Sequence, residues 1–450
     1  MGKSHRALSH ALTLDKELIL EAGFAGFGPS VLDVNAWPED LVKAKAGELR
    51  KVLAGDRTRQ AIAFRHRFPR LFVTRVAEPS RRQPPVKQLR ERGPRDPIRV
   101  VFLSPVFHVG GAERWICELC QRFDRSKVIP MGVVVDEHCQ IDPVQVRGLP
   151  WDVPVLVGSH NLREIALNCD AIISWGMKEL GAVAGSLGLP IVNVIHHPPE
   201  YKEQEKAAVL MREAIRWATH HVAVSESAAL NFPVKMRDRV TVLANGADPA
   251  RLATVKGRDA TRRKHGAKPG DRVVLFLGRM SAEKNVATLV RAVGSMGTGW
   301  KLWLVGPHQH RRPDVGEAIR EVRRGTVRCI PSTEAVGDFY AAADVVALPS
   351  RYESHGLTLN EAWLAGVPTV SSDYGQNRAF ADKHGELSWL AAVGCWPEEL
   401  ADTIRKAAKA GRRNARVIHA RAVAREYYTA AAMARRWEGF LSAAACSPSV

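Results

Sequence analysis

ADVVALPSRYESHGLTLNEAWLAGVPTVS, residues 343–371, packs two kinds of local structure into a short span. Val345-Val-Ala-Leu348 is a brief apolar run that stops at Pro349-Ser350, the pattern of a strand buried on both faces. The loop that follows carries Glu353 and Gly356, and a helix bearing Glu361 is predicted from about Leu357. A second apolar strand, Thr369-Val-Ser371, comes after Gly366-Val-Pro368. Strand, helix and strand at this spacing form a βαβ unit, which requires a parallel sheet with crossover helices.

The same rhythm extends towards the N-terminus. Strands are expected at Arg272–Gly278, Lys301–Val305 and Val327–Ile330. Before them lies a polar stretch from Asn245-Gly-Ala-Asp-Pro249 to Gly270. Earlier still, Ile98–Ser104 leads through a Gly110-Gly111 turn into a helix, and apolar runs recur at Met131–Val135, Ala171–Ser174, Ile191–Ile195 and His221–Val224. Two alternating series imply two doubly wound, Rossmann-like domains, 97–250 and 251–425, facing across a cleft with the active site between them. Residues 1–96 read as a basic extension. Asp40–Ala54 places Leu41, Val42, Leu49, Val52 and Leu53 on one helical face, and Pro79–Pro85 and Gly93–Pro97 have linker chemistry.

Composition narrows the function classes. The chain has 450 residues, 46% hydrophobic and 25% charged, the profile of a folded globular protein. It has no run of eighteen apolar residues, and no apolar signal core follows Met1, so a cytoplasmic, non-spanning protein is expected. The seven cysteines are scattered and odd in number, which speaks for a reducing compartment. Cys117 and Cys120 form a lone C-x-x-C on a predicted amphipathic helix and read as core residues. His308-Gln-His310 has no carboxylate or cysteine company and reads as a surface loop, so no metal site is expected.

The net charge of +18 is concentrated in two segments. Residues 57–95 hold twelve Lys/Arg against two Asp/Glu, and residues 401–450 hold ten against three. A charge that served solubility alone would be spread more evenly.

Around Glu353 the residue types fit a nucleotide-sugar site. Gly356 lets a ligand approach the backbone, and the amides of Leu357 and Thr358 at the helix start suit a diphosphate. A carboxylate one turn further in, Glu361, can accept both hydroxyls of a ribose, and Glu353 can hold hydroxyls of a transferred sugar. An E-x7-E pair alone is ordinarily two surface carboxylates near a turn.

This block resembles the signature of the retaining glycosyltransferases of family 4, which have the GT-B fold. The resemblance runs from about Ile98 to Gln376. Gly278-Arg279-Met-Ser-Ala-Glu-Lys284 is similar to the family's Gly-Arg…Lys loop, whose cations are expected to clamp the donor diphosphate. Gly110-Gly111-Ala-Glu113 resembles the acceptor-domain glycine loop. Asn245-Gly-Ala-Asp248 and Val224-Ser-Glu-Ser227 resemble the hinge motif and the element before it. The family's usual Glu-Gly-Phe-Gly is here Glu353-Ser-His355-Gly356, a departure that places an imidazole beside the sugar and leaves its identity open.

The resemblance implies a retaining transfer from a nucleotide-diphosphate sugar, with no metal and no other cofactor. Glu353, His196, Arg279 and Lys284 would be catalytic, His197 being the alternative to His196. Gly110, Gly111, His355, Gly356, Leu357, Thr358 and Glu361 would complete the donor site. It also implies that a C-terminal helix, 426–450, crosses back to the first domain.

For the acceptor only the basic segments speak. Arg65, Arg67, Phe68, Arg70, Arg81 and Arg82 interleave cations with an aromatic, a pattern suited to a polyanion. A nucleic acid such as modified DNA is slightly favoured over a lipid or envelope glycan at an anionic membrane. Arg-rich composition from a GC-rich genome is a plainer explanation. A non-catalytic sugar-nucleotide-binding protein is the alternative from another class.

Overall fold

The computed structural model describes residues 73–75, 92–93, 96–107, 110–136, 139, 141–176, 180–197, 215–307 and 312–444. The helix expected over Asp40–Ala54, the candidates Arg65, Arg67, Phe68, Arg70, Arg81 and Arg82, and the His308–His310 tract lie outside them.

The first sheet contains β1 (Val73–Arg75), β2 (Ile98–Ser104), β3 (Val128–Val135), β4 (Val155–Val157), β5 (Ala171–Ser174), β6 (Ile191–Ile195), β7 (His220–Ala223) and β8 (Val240–Val242). Its order is β1-β4-β3-β2-β5-β6-β7-β8. The second contains β9 (Arg272–Leu277), β10 (Trp300–Val305), β11 (Val327–Ile330), β12 (Val345–Leu348), β13 (Thr369–Ser372) and β14 (Trp389–Ala391), ordered β11-β10-β9-β12-β13-β14. From β2 to β7, and again in the second sheet, this is the 3-2-1-4-5-6 order of the Rossmann fold. The chain is thus α/β with two Rossmann-like sheets, the GT-B fold class. One strand was not foreseen: Val73–Arg75, inside the presumed extension, pairs in parallel with Val155–Val157.

The described chain forms two compact units: up to residue 195 with 215–222 and 434–444, and 196–197 with 223–307 and 312–433. Residues 223–250, assigned from sequence to the first domain, therefore belong with the second. Hydrogen bonds tie parts of this stretch to the rest of the second unit. The amide of Ala247 donates to the Tyr428 carbonyl, the amide of Ala430 donates back to Ala247 (both 2.9 Å), and the Val224 carbonyl holds His355.

At the other end, Trp437 packs against Trp115 with the rings tilted and their centroids 5.3 Å apart, and Glu438 accepts the Asp124 amide at 2.8 Å. That packing gathers the last described turns into the first unit. Cys117 and Cys120 are buried on the helix Gly111–Arg122, with the Cys117 thiol directed at the Gln145 carbonyl. In the second unit β9, β10 and β12 form the centre of the core, flanked by Leu289, Val293, Trp363 and Ile404 from surrounding helices. Among the described residues, no helix is long and apolar enough to cross a membrane.

Candidate functional site

In the second sheet the strand order reverses between β9 and β12, so the loops leaving their carboxyl ends diverge and open a crevice. Both sequence-predicted loops start there. Gly278 follows β9 under a close constraint. A Cβ on Gly306, just past β10, would lie 2.0 Å from the Gly278 carbonyl oxygen, so the two backbones meet only because Gly306 has no side chain. The loop then forms a 3-10 turn, Ala282–Lys284, and Asn285 adopts the left-handed conformation (φ 52°) before the helix Val286–Ser295.

This turn delivers Lys284 to the second loop. Its Nζ lies 2.5 Å from Glu353 Oε2, and the Ser350 hydroxyl donates to the same oxygen at 3.3 Å. The loops are also joined through the backbone, the Arg351 amide donating to the Glu283 carbonyl at 2.7 Å. Arg279 is more open: its side chain is 58% exposed and lies 3.7 Å from Glu283.

Gly356, at φ +77°, turns the chain into the helix Leu357–Leu364. The first backbone bonds of that helix run from Leu359 and Asn360 to the Gly356 carbonyl, so the Leu357 and Thr358 amides stand ahead of them. The Thr358 hydroxyl donates to Leu277 at the end of β9 (3.3 Å), which ties the helix start to the crevice. One turn on, Glu361 is buried. Its Oε2 accepts the Tyr340 hydroxyl at 2.7 Å, and its Oε1 pairs with Arg251. Burial, then the charge of Glu361 and the hydrogen bond to it, push the Tyr340 phenol well up.

The three histidines fall in the same unit but differ in setting. His355 is buried, with Nδ1 3.1 Å from the Val224 carbonyl and Nε2 2.8 Å from the Asn360 side-chain amide. Its ring meets Phe380 and Tyr428 edge-on. Both ring nitrogens thus engage protein groups, an arrangement that suits the neutral ring. His196 is buried, and desolvation lowers its pKa well below the ordinary value, with His197 and His355 adding to the effect. Burial and then the Arg279 guanidinium push His197 down to about 4. Both are neutral imidazoles near pH 7.

Gly110 and Gly111 belong to the other unit. They open the helix Gly111–Arg122, and the Glu113 carboxylate folds back against Gly110, where a Cβ would come within 2.3 Å of Oε2.

Within the second unit the fold therefore joins Lys284 with Glu353, sets both beside the Leu357–Thr358 helix start, and places His197 near Arg279. Sequence reading missed Arg251 and Tyr340. Arg251 had a faint signal, three positions after Asp248 of the Asn-Gly-x-Asp motif. Tyr340 had none.

Residues 271–410 match the family model described as "Glycosyl transferases group 1". The chain carries a group 1 glycosyl transferase domain. This domain contains β9 to β14 and every donor-site candidate of the second unit except His196 and its alternative His197. The chain is 34% identical over 167 residues to a D-inositol 3-phosphate glycosyltransferase of Rhodococcus erythropolis, covering 34% of this chain and 37% of that protein. It is 29% identical over 281 residues to the one of Xylanimonas cellulosilytica, covering 57% and 60%. The chain thus spans less than two thirds of the length of these curated relatives. In fold it is similar to Anabaena Alr3699/HepE, solved in complex with UDP and glucose (TM-score 0.66, 20% identity, 77% of this chain and 99% of that one).

Proposed function

We propose that the chain transfers a sugar from a nucleoside-diphosphate sugar to an acceptor hydroxyl, with retention of anomeric configuration. The observation that carries this reading is the Lys284–Glu353 pair beside the start of the helix Leu357–Leu364, at the strand-order reversal of the second sheet. Helix-start amides suit a diphosphate, and Arg279 with Lys284 supplies the positive charge that a departing diphosphate needs, without a metal. Glu353 orients the sugar and Glu361 holds the ribose. An oxygen of the leaving phosphate takes the proton of the incoming hydroxyl on the same face. His196, kept neutral by burial, serves as a hydrogen-bonding contact to the sugar.

UDP-glucose is the first donor to test, since the Anabaena structure was also solved with it. Release of UDP from UDP-glucose, or of the matching diphosphate from GDP- or ADP-sugars, should be slow but measurable, and should rise with a true acceptor. Lys284→Ala should slow release by roughly a hundredfold or more. Wild-type rates in Lys284→Ala, Arg279→Ala and Glu361→Ala together would overturn the site. Donor binding with no turnover on any acceptor would favour the non-catalytic alternative.

The acceptor we place on a polyanionic carrier, nucleic acid ahead of an anionic membrane. The clustering of charge supports this: in the described part of 401–450, Arg405, Lys406, Lys409, Arg413, Arg421 and Arg425 are all exposed. DNA gel shift and flotation with anionic liposomes, each over a salt series, separate the two; binding to neither would point to a small soluble acceptor.

A further inference from the structure

We propose that Arg251 is the positioning residue of the nucleotide site, fixing Glu361 so that its carboxylate discriminates ribose from deoxyribose. The inference rests on the reading of Glu361 as the ribose ligand, and it assigns a task to a residue 110 positions away in sequence.

Among the described residues, each carboxylate oxygen of Glu361 has one protein donor, Arg251 on Oε1 and the Tyr340 hydroxyl on Oε2. A carboxylate oxygen accepts about two hydrogen bonds, so each keeps one acceptor site, on neighbouring atoms of a rigid plane. Two neighbouring acceptors match the two donors of a vicinal diol. A 2′-deoxyribose offers only one of them and leaves a buried acceptor unmet.

Arg251 does this work only if it is itself held, and the segment that bears it is pinned along its length. Asp248 caps the short turn Pro249–Leu252 by accepting the Ala250 amide at 3.0 Å. Before it, Ala247 exchanges hydrogen bonds with Tyr428 and Ala430, and a Cβ on Gly246 would strike the Thr429 carbonyl at 2.2 Å. After it, one carboxylate oxygen of Asp338 accepts the amides of Val255, Lys256 and Gly257 at 2.8, 2.9 and 3.3 Å. Gly337 lets the helix Val336–Ala342 close on this segment, since a Cβ there would meet the Leu252 and Ala253 carbonyls at 2.5 and 2.4 Å. The same helix carries Tyr340, so the two residues that flank Glu361 are fixed to each other through Asp338. A surface arginine that paired by chance would need none of this. The Arg251 side chain is only 21% exposed and that of Glu361 6%, so the pair has little access to water that would replace one partner by hydration.

Calorimetry tests this with whichever of UDP, GDP and ADP the wild type binds most tightly, together with its 2′-deoxy analogue. Wild type should prefer the ribonucleotide by about tenfold or more. Arg251→Met should weaken ribonucleotide binding by about tenfold while leaving the deoxy analogue little changed, so that the preference collapses towards one. Arg251→Lys should restore part of it. Equal weakening of both nucleotides would make Arg251 merely structural, and unchanged or tighter binding would also overturn the inference.

Glu361→Gln separates the two levels of the argument. If it abolishes the preference while Arg251→Met keeps it, the ribose reading stands and this inference falls. If Glu361→Gln keeps the preference, or wild type binds none of the three nucleotides, the reading beneath it falls as well. Should Arg251→Met not fold, as judged by circular dichroism, Arg251→Lys and Tyr340→Phe carry the same comparison, and a full wild-type preference in both overturns it.

Discussion

Lys284 Nζ and Glu353 Oε2 lie 2.5 Å apart although 69 residues separate them in sequence, and their side chains are only 17% and 14% exposed. Adjacent parallel strands, β9 and β12, bring them together, because each strand ends in the loop that carries one of the pair. A charge pair this sheltered is costly to break from one side, since the remaining partner stays buried without its counter-ion.

Lys284→Ala and Glu353→Ala should therefore each destabilise the protein by about 3 kcal/mol. The double variant should lose less than the two combined, with a coupling of about 1–3 kcal/mol. Urea denaturation of the four proteins measures it, and strict additivity would refute a working pair.

Donor kinetics should separate the two ends of the site. Glu361→Ala should act chiefly on donor binding and raise KM by about tenfold or more, since it removes contacts made before and during transfer alike. Arg279→Ala should leave KM close to wild type and lower kcat, because charge on the diphosphate grows as the sugar departs. Steady-state rates over a donor series decide; the reverse assignment would exchange the two roles.

Stability should fall in mild acid. His197 is pushed down to about 4 in the folded protein, by burial first and then by Arg279. The unfolded chain takes up this proton near the ordinary value of about 6.5, so it binds more protons than the folded chain between the two. Stability from this residue is complete above about pH 6.5 and is lost progressively as pH falls towards 4. Between pH 7 and pH 5 His197 alone contributes a loss on the order of 2 kcal/mol. Denaturant midpoints at the two pH values should show it, and His197→Gln should flatten the difference.

Gly306→Ala should destabilise by about 1–3 kcal/mol, because the new methyl meets a backbone carbonyl that no side-chain rotation can move. The companion Gly316→Ala, whose Cβ approaches nothing nearer than the far end of the Arg320 side chain at 3.8 Å, should be neutral or slightly stabilising. Melting temperatures of the two variants provide the comparison.

Turnover should survive excess EDTA if Arg279 and Lys284 supply the charge for the leaving diphosphate. Loss of activity that is recovered with Mg2+ or Mn2+ would assign that charge to a metal instead.

Much of this was written in the order of residues. Apolar runs such as Val345–Leu348, each followed by a turn and a helix, determine a parallel α/β chain, because a strand buried on both faces and an amphipathic helix leave local patterns. The loops bearing Glu353 and Lys284 were legible for the same reason: each follows a strand, and strand ends at a reversal of order are where such sheets hold ligands. His355 shows the limit. Its place in the motif suggested a ligand contact, whereas its ring nitrogens engage Val224 and Asn360, groups that only the folded chain brings to it. Val73–Arg75 shows another, since a three-residue edge strand gains its stability from Val155–Val157 and leaves almost no pattern of its own. The sequence by itself thus determined the two sheets and which loops bear Lys284 and Glu353. Tertiary structure alone decided that Lys284 answers Glu353 and that Arg251 with Tyr340 holds Glu361, because charge pairing and carboxylate orientation depend on distances between chain segments that no local period encodes.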